Sequence, residues 1–298
     1  MSGMAAAAER PHVRYKKKSQ IVIVWQRFRK NKLAVLGMIV LLLIIGVALC
    51  ADLICDYDQD AIFQNPGERL QLPSGAHLFG TDAYGRDMFA RIIFGARISL
   101  SIGFASILLS LLLGSVIGSI AGYYGGWIDN VLMRLMDILL AIPNILMAII
   151  IVAVLGAGTG NLLLALAIAE VPRSARVVRS AVLGIRDAEY IEAARAYGTR
   201  DKRILLKHIM PNAIGPIIVQ STLSLASTIL NIAFLSFIGL GVPSPTPEWG
   251  TILSDNKQFM RYYPYLVAFP GVAIMITVLC LNLIGDGLRD ALDPKLKN

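Results

Sequence analysis

Between residues 33 and 284 the sequence holds six apolar runs, each close to the roughly 20 residues that a helix needs to cross a bilayer. Nothing else constrains the fold as strongly. In lipid every backbone N–H and C=O must be paired within the spanning structure, which leaves helices or closed barrels. The runs are long and continuous, whereas barrel strands would be short and would alternate apolar with polar. The expected fold is all-α: a polytopic membrane helical bundle with six transmembrane helices, at residues 33–54, 98–121, 131–155, 161–183, 213–238 and 265–284. Composition agrees, with 56% hydrophobic and 16% charged residues against about a quarter charged in a soluble domain. The fourth run is the least regular. Glu170, Pro172, Arg173 and Arg176 interrupt its second half, so it is expected either to be shorter or to project beyond the membrane.

The first run is too long for the apolar region of a signal peptide and follows a long charged lead, so it reads as a retained transmembrane helix. Cys50 follows Val47-Ala48-Leu49, with Leu49 where a lipoprotein signal would need a small residue. Cys50, Cys55 and Cys280 lie in or beside apolar runs and read as small packing residues. With His12, His77 and His208 as the only histidines, neither a metal site nor a cofactor is expected.

The net charge of +8 is unevenly placed, and Lys and Arg near helix ends set orientation. Basic residues crowd the first 32 positions (Arg10, Arg14, Lys16 to Lys18, Arg27, Arg29, Lys30, Lys32). They also crowd the stretch from Arg173 to Lys207 and the tail (Arg289, Lys295, Lys297). Six crossings put these three regions on one side, the cytosol, with both termini there. Loops 52–97 and 239–263 fall outside. Anionic lipid and insertion topology account for the basic stretches more simply than nucleic acid.

Three polar constellations interrupt the apolar pattern. The first runs from Glu192 to Pro211. Tyr190, Ala193 or Ala194, and Tyr197 recur at helical spacing, leaving Glu189, Glu192 and Arg195 on another face. Gly198 suits a left-handed turn, Thr199 or Asp201 can cap a second short helix towards His208, and Pro211 suits the start of the next membrane helix. The spacing alone fits a helix–turn–helix or an amphipathic surface helix without a partner. The second constellation, on the fifth run, is a polar stripe of Gln220, Ser224, Ser227, Thr228 and Asn231 on one helical face. Such side chains either bond a neighbouring helix or line a pathway or subunit interface; Asp137, on the third run, is expected to pair with a cation. The third holds Asp82, Arg86, Asp87, Arg91 and Arg97 in the outer loop, read as an ion-pair network bracing that loop, with contact to an external protein as the other reading.

Five blocks in order carry a family resemblance: Arg27-Phe28-Arg29-Lys30-Asn31-Lys32-Leu33-Ala34; His77 to Asp87 with Arg91, Gly95, Arg97 and Ser99; Glu189-Tyr190-Ile191-Glu192-Ala193-Ala194-Arg195-Ala196-Tyr197-Gly198; Ser236 to Gly241 with Pro245 to Gly250; and Gly285 to Pro294. Together they resemble the second, C-type membrane subunit of the dipeptide/oligopeptide ABC importer permeases. Glu170 departs from the pattern, which has an aromatic there. The resemblance implies a type I ABC importer permease fold in four parts. These are a cytosolic N-terminal segment 1–32, a first helix and extracytoplasmic loop 33–96, a permease domain 97–287 with a coupling loop at about 186–210, and a cytosolic tail 288–298. It implies that Glu192, Ala193, Ala194, Gly198, His208 and Pro211 couple the bundle to an ATPase. The implied partners are a second homologous permease, two ATP-binding subunits, an extracytoplasmic solute-binding protein and the lipid of a bacterial cell membrane. ATP-driven closure of the ATPases would move the coupling helices and swing the bundles from inward-open to outward-open.

The chain has no G-x-x-x-x-G-K-S/T loop and not one Gly-Lys pair, so it lacks the phosphate cradle needed to hydrolyse ATP itself. It is expected to be a transport subunit and not an enzyme. An ion-coupled secondary transporter would show internal repeats and embedded charges on broken helices. An intramembrane enzyme would need a base at the depth of its nucleophile, yet each histidine lies in a loop or flank. The expected cargo is a peptide, with a nickel chelate, an opine or glutathione as the alternatives.

Overall fold

The computed structural model describes residues 20–292. Arg10, Arg14, Lys16 to Lys18, Lys295 and Lys297, within the terminal segments expected at 1–32 and 288–298, lie outside the described residues. The helices are α1 (Gln20–Phe28), α2 (Lys32–Leu49), the single-turn α3 (Ala51–Ile54), α4 (Met88–Tyr124), α5 (Gly126–Leu140), α6 (Asn144–Leu155), α7 (Thr159–Leu183), α8 (Glu189–Ala196), α9 (Asp201–Ile204), α10 (Met210–Phe237), α11 (Trp249–Asn256) and α12 (Tyr265–Leu292). Among the described residues the β pairing is limited to one isolated bridge, Thr81 with Asp87.

Helix ends follow from local chemistry. The Asn31 side chain accepts from Ala34 N (3.1 Å) to start α2, and Asp87 accepts from Ala90 N (2.9 Å) to start α4, each satisfying a first-turn donor. Gly125, at φ +65°, turns the chain out of α4. The second apolar run is therefore part of a helix ten residues longer at its start than the 98–121 expected, because Asp87 sits well upstream as its cap.

The third run departs from expectation. Instead of one helix over 131–155, α5 and α6 meet at an 84° bend across Ala141–Pro143. Pro143 offers no N–H to the turn before it, and its ring crowds that turn. Asn144 Nδ2 then bonds Ala169 O on α7 (3.0 Å). The first run is also divided, with α2 ending at Leu49 before α3. By contrast α7 stays continuous through Pro172. Among the described residues, four helical stretches are long and apolar enough to span a membrane, Lys32–Leu49, Met88–Tyr124, Asp201–Phe237 and Tyr265–Leu292, and a fifth is added if α5 and α6 form one broken span. Glu170, Arg173, Arg176 and Arg179 keep α7 from meeting the same test, although it is 25 residues long. The six expected positions are occupied by α2, α4, α5 with α6, α7, α10 and α12.

The tightest seam is α4 against α7. Ser110, Gly114, Gly118 and Gly122 recur every fourth residue on α4, facing Ser174, Ala175, Val178, Arg179 and Val182. A Cβ on Gly118 would come within 2.9 Å of Arg179 N, so only glycine allows this approach. Ions flank the seam: Arg179 grips Asp129 of α5 with two nitrogens (2.5 and 2.6 Å), and Arg176 bonds Asp137 at 2.6 Å. Meanwhile α12 packs on α10 through Gly285 at Leu223, and on α2 and α1 through Gly287 at Ala34 and Phe28. Outward-facing Leu42, Leu43, Phe104, Leu112, Phe234 and Met275 leave the bundle an apolar exterior, as lipid requires.

Candidate coupling segment and polar networks

Between α7 and α10 the chain forms two short helices joined by a tight turn. Thr199 N bonds Ala194 O (3.1 Å) and Gly198 N bonds Arg195 O (2.8 Å), with Gly198 at φ +73°. These are the paired bonds of a Schellman motif, and the left-handed residue is the expected glycine. Ile191 is fully buried and joins Ile204, Ile209, Val178 and Val182, with Ala188 and Ala194 beside it. The face grouped from the sequence is thereby divided. Ala194 turns inward, whereas Tyr190, Ala193 and Tyr197 stay exposed next to Glu192. Ile191, one position off the tyrosine stripe, offers the aliphatic side chain that fits the cluster. Glu192 N bonds Ala188 O (3.1 Å), but its carboxylate makes no ion pair or hydrogen bond among the described residues.

The second short helix does not start as expected. Neither Thr199 nor Asp201 caps it. Arg200 occupies the capping position without a side-chain bond, and Asp201 instead accepts from Tyr123 Oη on α4 at 2.7 Å. A π-helical turn, Leu205–Ile209, then leads without a break into α10. That wider turn accommodates Pro211, which has no N–H to return to the preceding carbonyls. Half-buried His208 lies in the turn and its carbonyl accepts from Asn212 Nδ2 (2.6 Å).

The α10 stripe does not act as one unit. Gln220 donates to Ser224 (3.2 Å), and Ser224 donates to Glu170 Oε1 of α7 (2.6 Å). Glu170 Oε2 accepts from Asn144 of α6 at 3.0 Å, and Arg173 stands 3.7 Å away. Glu170, at the position where the resemblance leads one to expect an aromatic, thus joins three helices from a buried position. Ser227 is exposed and bonds Leu223 O, Thr228 is buried, and Asn231 is half-buried.

The outer-loop residues divide into three groups. Arg86 Nε contacts Asp82 at 2.6 Å and Arg86 Nη2 contacts Asp255 at 3.0 Å; Arg91 lies 3.6 Å from Asp82 and 3.5 Å from Asp255. Asp82, Arg86 and Arg91 are fully buried, and Arg91 also donates to the carbonyls of Ala61 and Pro245. Asp87 works elsewhere, capping α4 and meeting His77 Nδ1 at 2.7 Å. Arg97 reaches back to Ala48 O, Leu49 O and Asp52, holding the end of α2. Sequence reasoning missed Asp255, and missed the buried Glu248 that accepts from Ser99 (2.9 Å) while capping α11. Asp255 lies 169 residues from Arg86, and no local pattern could join them.

A helical bundle with an apolar exterior and a structured polar segment between two of its long helices defines a polytopic integral membrane protein. Residues 114–298 match the family described as binding-protein-dependent transport system inner membrane component, and residues 19–73 match the N-terminal transmembrane domain of oligopeptide transport permease C. The chain belongs to this family: it is a multi-pass membrane permease subunit of an ABC importer, a transport component and not an enzyme. It is 48% identical over 274 residues to the dipeptide transport system permease protein of Alkalihalophilus pseudofirmus, covering 92% of this chain and 90% of that one. To the glutathione transport system permease protein of Shigella flexneri it is 46% identical over 277 residues, with the same coverage. In fold it is similar to a chain of the MetNI methionine ABC transporter solved in inward-facing conformations. There the TM-score is 0.57 at 20% identity, covering 69% of this chain and 98% of that one.

Proposed function

We propose that this permease imports peptides of the dipeptide class and forms half of the translocation pathway. The observation that carries the cargo reading is the 48% identity, over nearly the whole chain, to a permease named for dipeptide transport. The other half is a second homologous permease. Of two ATP-binding subunits, one docks on the segment from Glu189 to Pro211, and an extracytoplasmic binding protein delivers the peptide to the opposite face. The membrane is a bacterial cell membrane, with both termini and the coupling segment in the cytosol.

The exposure of α8 supports this docking. Tyr190, Ala193 and Tyr197 place aromatic and small apolar surface beside Glu192, whose carboxylate has no partner among the described residues, whereas the other side of the helix is fastened by Ile191. A partner that covers the tyrosines gains their apolar area, and it must offer a cation or N–H to Glu192, which is solvated while exposed and costly once buried unpaired. Displacement of this helix pair passes into α7 and α10 through the chain itself.

The test is uptake into proteoliposomes containing both permeases and the ATPases, with the binding protein supplied outside. Labelled dialanine should accumulate only with ATP present. Uptake of glutathione in place of dialanine would replace the dipeptide reading with the one named by the Shigella flexneri relative, and uptake without ATPase subunits would overturn the assembly.

A further inference from the structure

The last turn of α4 holds the coupling segment at three points. Arg186 Nη1 donates to Gly122 O (3.0 Å) where the segment begins. The Arg195 guanidinium of α8 lies over the Tyr123 ring, 5.1 Å from its centre. The Tyr123 hydroxyl donates to Asp201 of α9 at 2.7 Å. Tyr123 is 7% exposed and belongs to the same apolar cluster as Ile191, Ile204 and Ile209. These contacts are remote in sequence, with Tyr123 and Asp201 78 positions apart. The 37 residues of α4, about 55 Å at 1.5 Å per residue, end at the other side beside the Arg91 ion cluster.

We propose that Tyr123 is a positioning residue for energy coupling: it carries α8 and α9 as one body on the end of α4, so that their displacement moves α4 as well as α7 and α10. The proposal rests on the coupling reading above. A loop tied only to α7 and α10 would move the two helices it connects. Through Tyr123 the same movement also reaches the helix whose far end holds the outer loop.

Tyr123→Phe keeps the buried ring and its stack on Arg195 and removes only the hydroxyl donor. Asp201→Asn keeps an oxygen that accepts that bond, whereas Asp201→Ala does not. Two measurements decide the matter. The first is hydrogen exchange over residues 199–204 in the full chain in lipid nanodiscs, which needs neither cargo nor partners. Exchange should quicken about tenfold in Tyr123→Phe and Asp201→Ala, the shift expected from losing a hydrogen bond to a charged acceptor. It should stay near wild type in Asp201→Asn. The second is ATP hydrolysed per dialanine imported by the assembled complex. That ratio should rise in Tyr123→Phe and Asp201→Ala, and the double variant should be no worse than either. Unchanged exchange, or an unchanged ratio in Tyr123→Phe, overturns the proposal. So do additive defects in the double variant. A wild-type complex that fails to import dialanine overturns the cargo reading instead, and leaves the exchange result to judge Tyr123.

Discussion

The loop ahead of α4 and the segment between α7 and α10 are both rich in charge, yet they handle it in opposite ways. In the first, Asp82, Arg86 and Arg91 are buried and answer one another with Asp255. In the second, the exposed Glu192 carboxylate has no partner among the described residues, and the tyrosines beside it face outward. Buried charge must be neutralised within the molecule, because an unpaired ion in low dielectric costs several kcal/mol. Exposed charge carries no such demand, so it is free to meet another protein. The same residue types therefore read as structure in one place and as an interface in the other.

The contrast breaks most readily at Arg91. Arg91→Ala leaves Asp82 and Asp255 short of a cation and should cost about 3–5 kcal/mol, seen as a much lower unfolding midpoint and loss of monodisperse protein in detergent. An unchanged midpoint would mean that the cluster is decoration. Gly198→Val comes next. Its Cβ would meet nothing within 4 Å, so the cost is confined to the backbone at φ +73°, about 1–2 kcal/mol. The bundle should survive while the two short helices tilt, and ATP-driven uptake in proteoliposomes should be lost. Glu192→Lys should move stability by no more than about 0.5 kcal/mol and still abolish uptake. Full uptake by both variants would make the segment an ordinary surface element.

Sidedness sharpens the comparison further. An impermeant maleimide added outside should label a cysteine at Ser74 and spare one at Arg195, and the reverse pattern would sink the orientation. The smallest effect concerns the native thiol at Cys55. Burial pushes that thiol up, with Asp60 and Asp87 adding to the shift. Only the thiolate reacts, so Cys55 should label more slowly than an exposed cysteine at neutral pH. Its rate should climb as pH rises towards the raised value. A rate at neutral pH equal to that of an exposed cysteine would show that the burial is not there.

Much of this architecture was legible in advance because it depends on neighbours in sequence. Apolar runs of spanning length give helices whatever surrounds them. Gly198 marks a left-handed turn because only the absence of a Cβ makes that conformation inexpensive. Asp137 was expected to find a cation, and Arg176 supplies it. Even the break at Pro143 had a local cue, a proline midway along a run, that the hydropathy pattern masked. The face of α8 was harder to read. Tyr190 and Tyr197 have the stronger periodicity, but Ile191 has the shape that completes a cluster drawn from α7, α9 and the turn beyond it.

The sequence by itself determined that this chain lives in a membrane as a helical bundle, where its polar segments interrupt that bundle, and which backbone position must turn left-handed. Each follows from side-chain transfer energy or local sterics and needs no knowledge of distant residues. Tertiary structure alone decided that Asp255 completes the Arg86–Arg91 pair, that Glu170 ties α6, α7 and α10, and that Tyr123 reaches Asp201. Those pairings join residues from 26 to 169 positions apart, and their strength depends on how much water the packed helices exclude. Burial and partner choice emerge together only when the helices are in place.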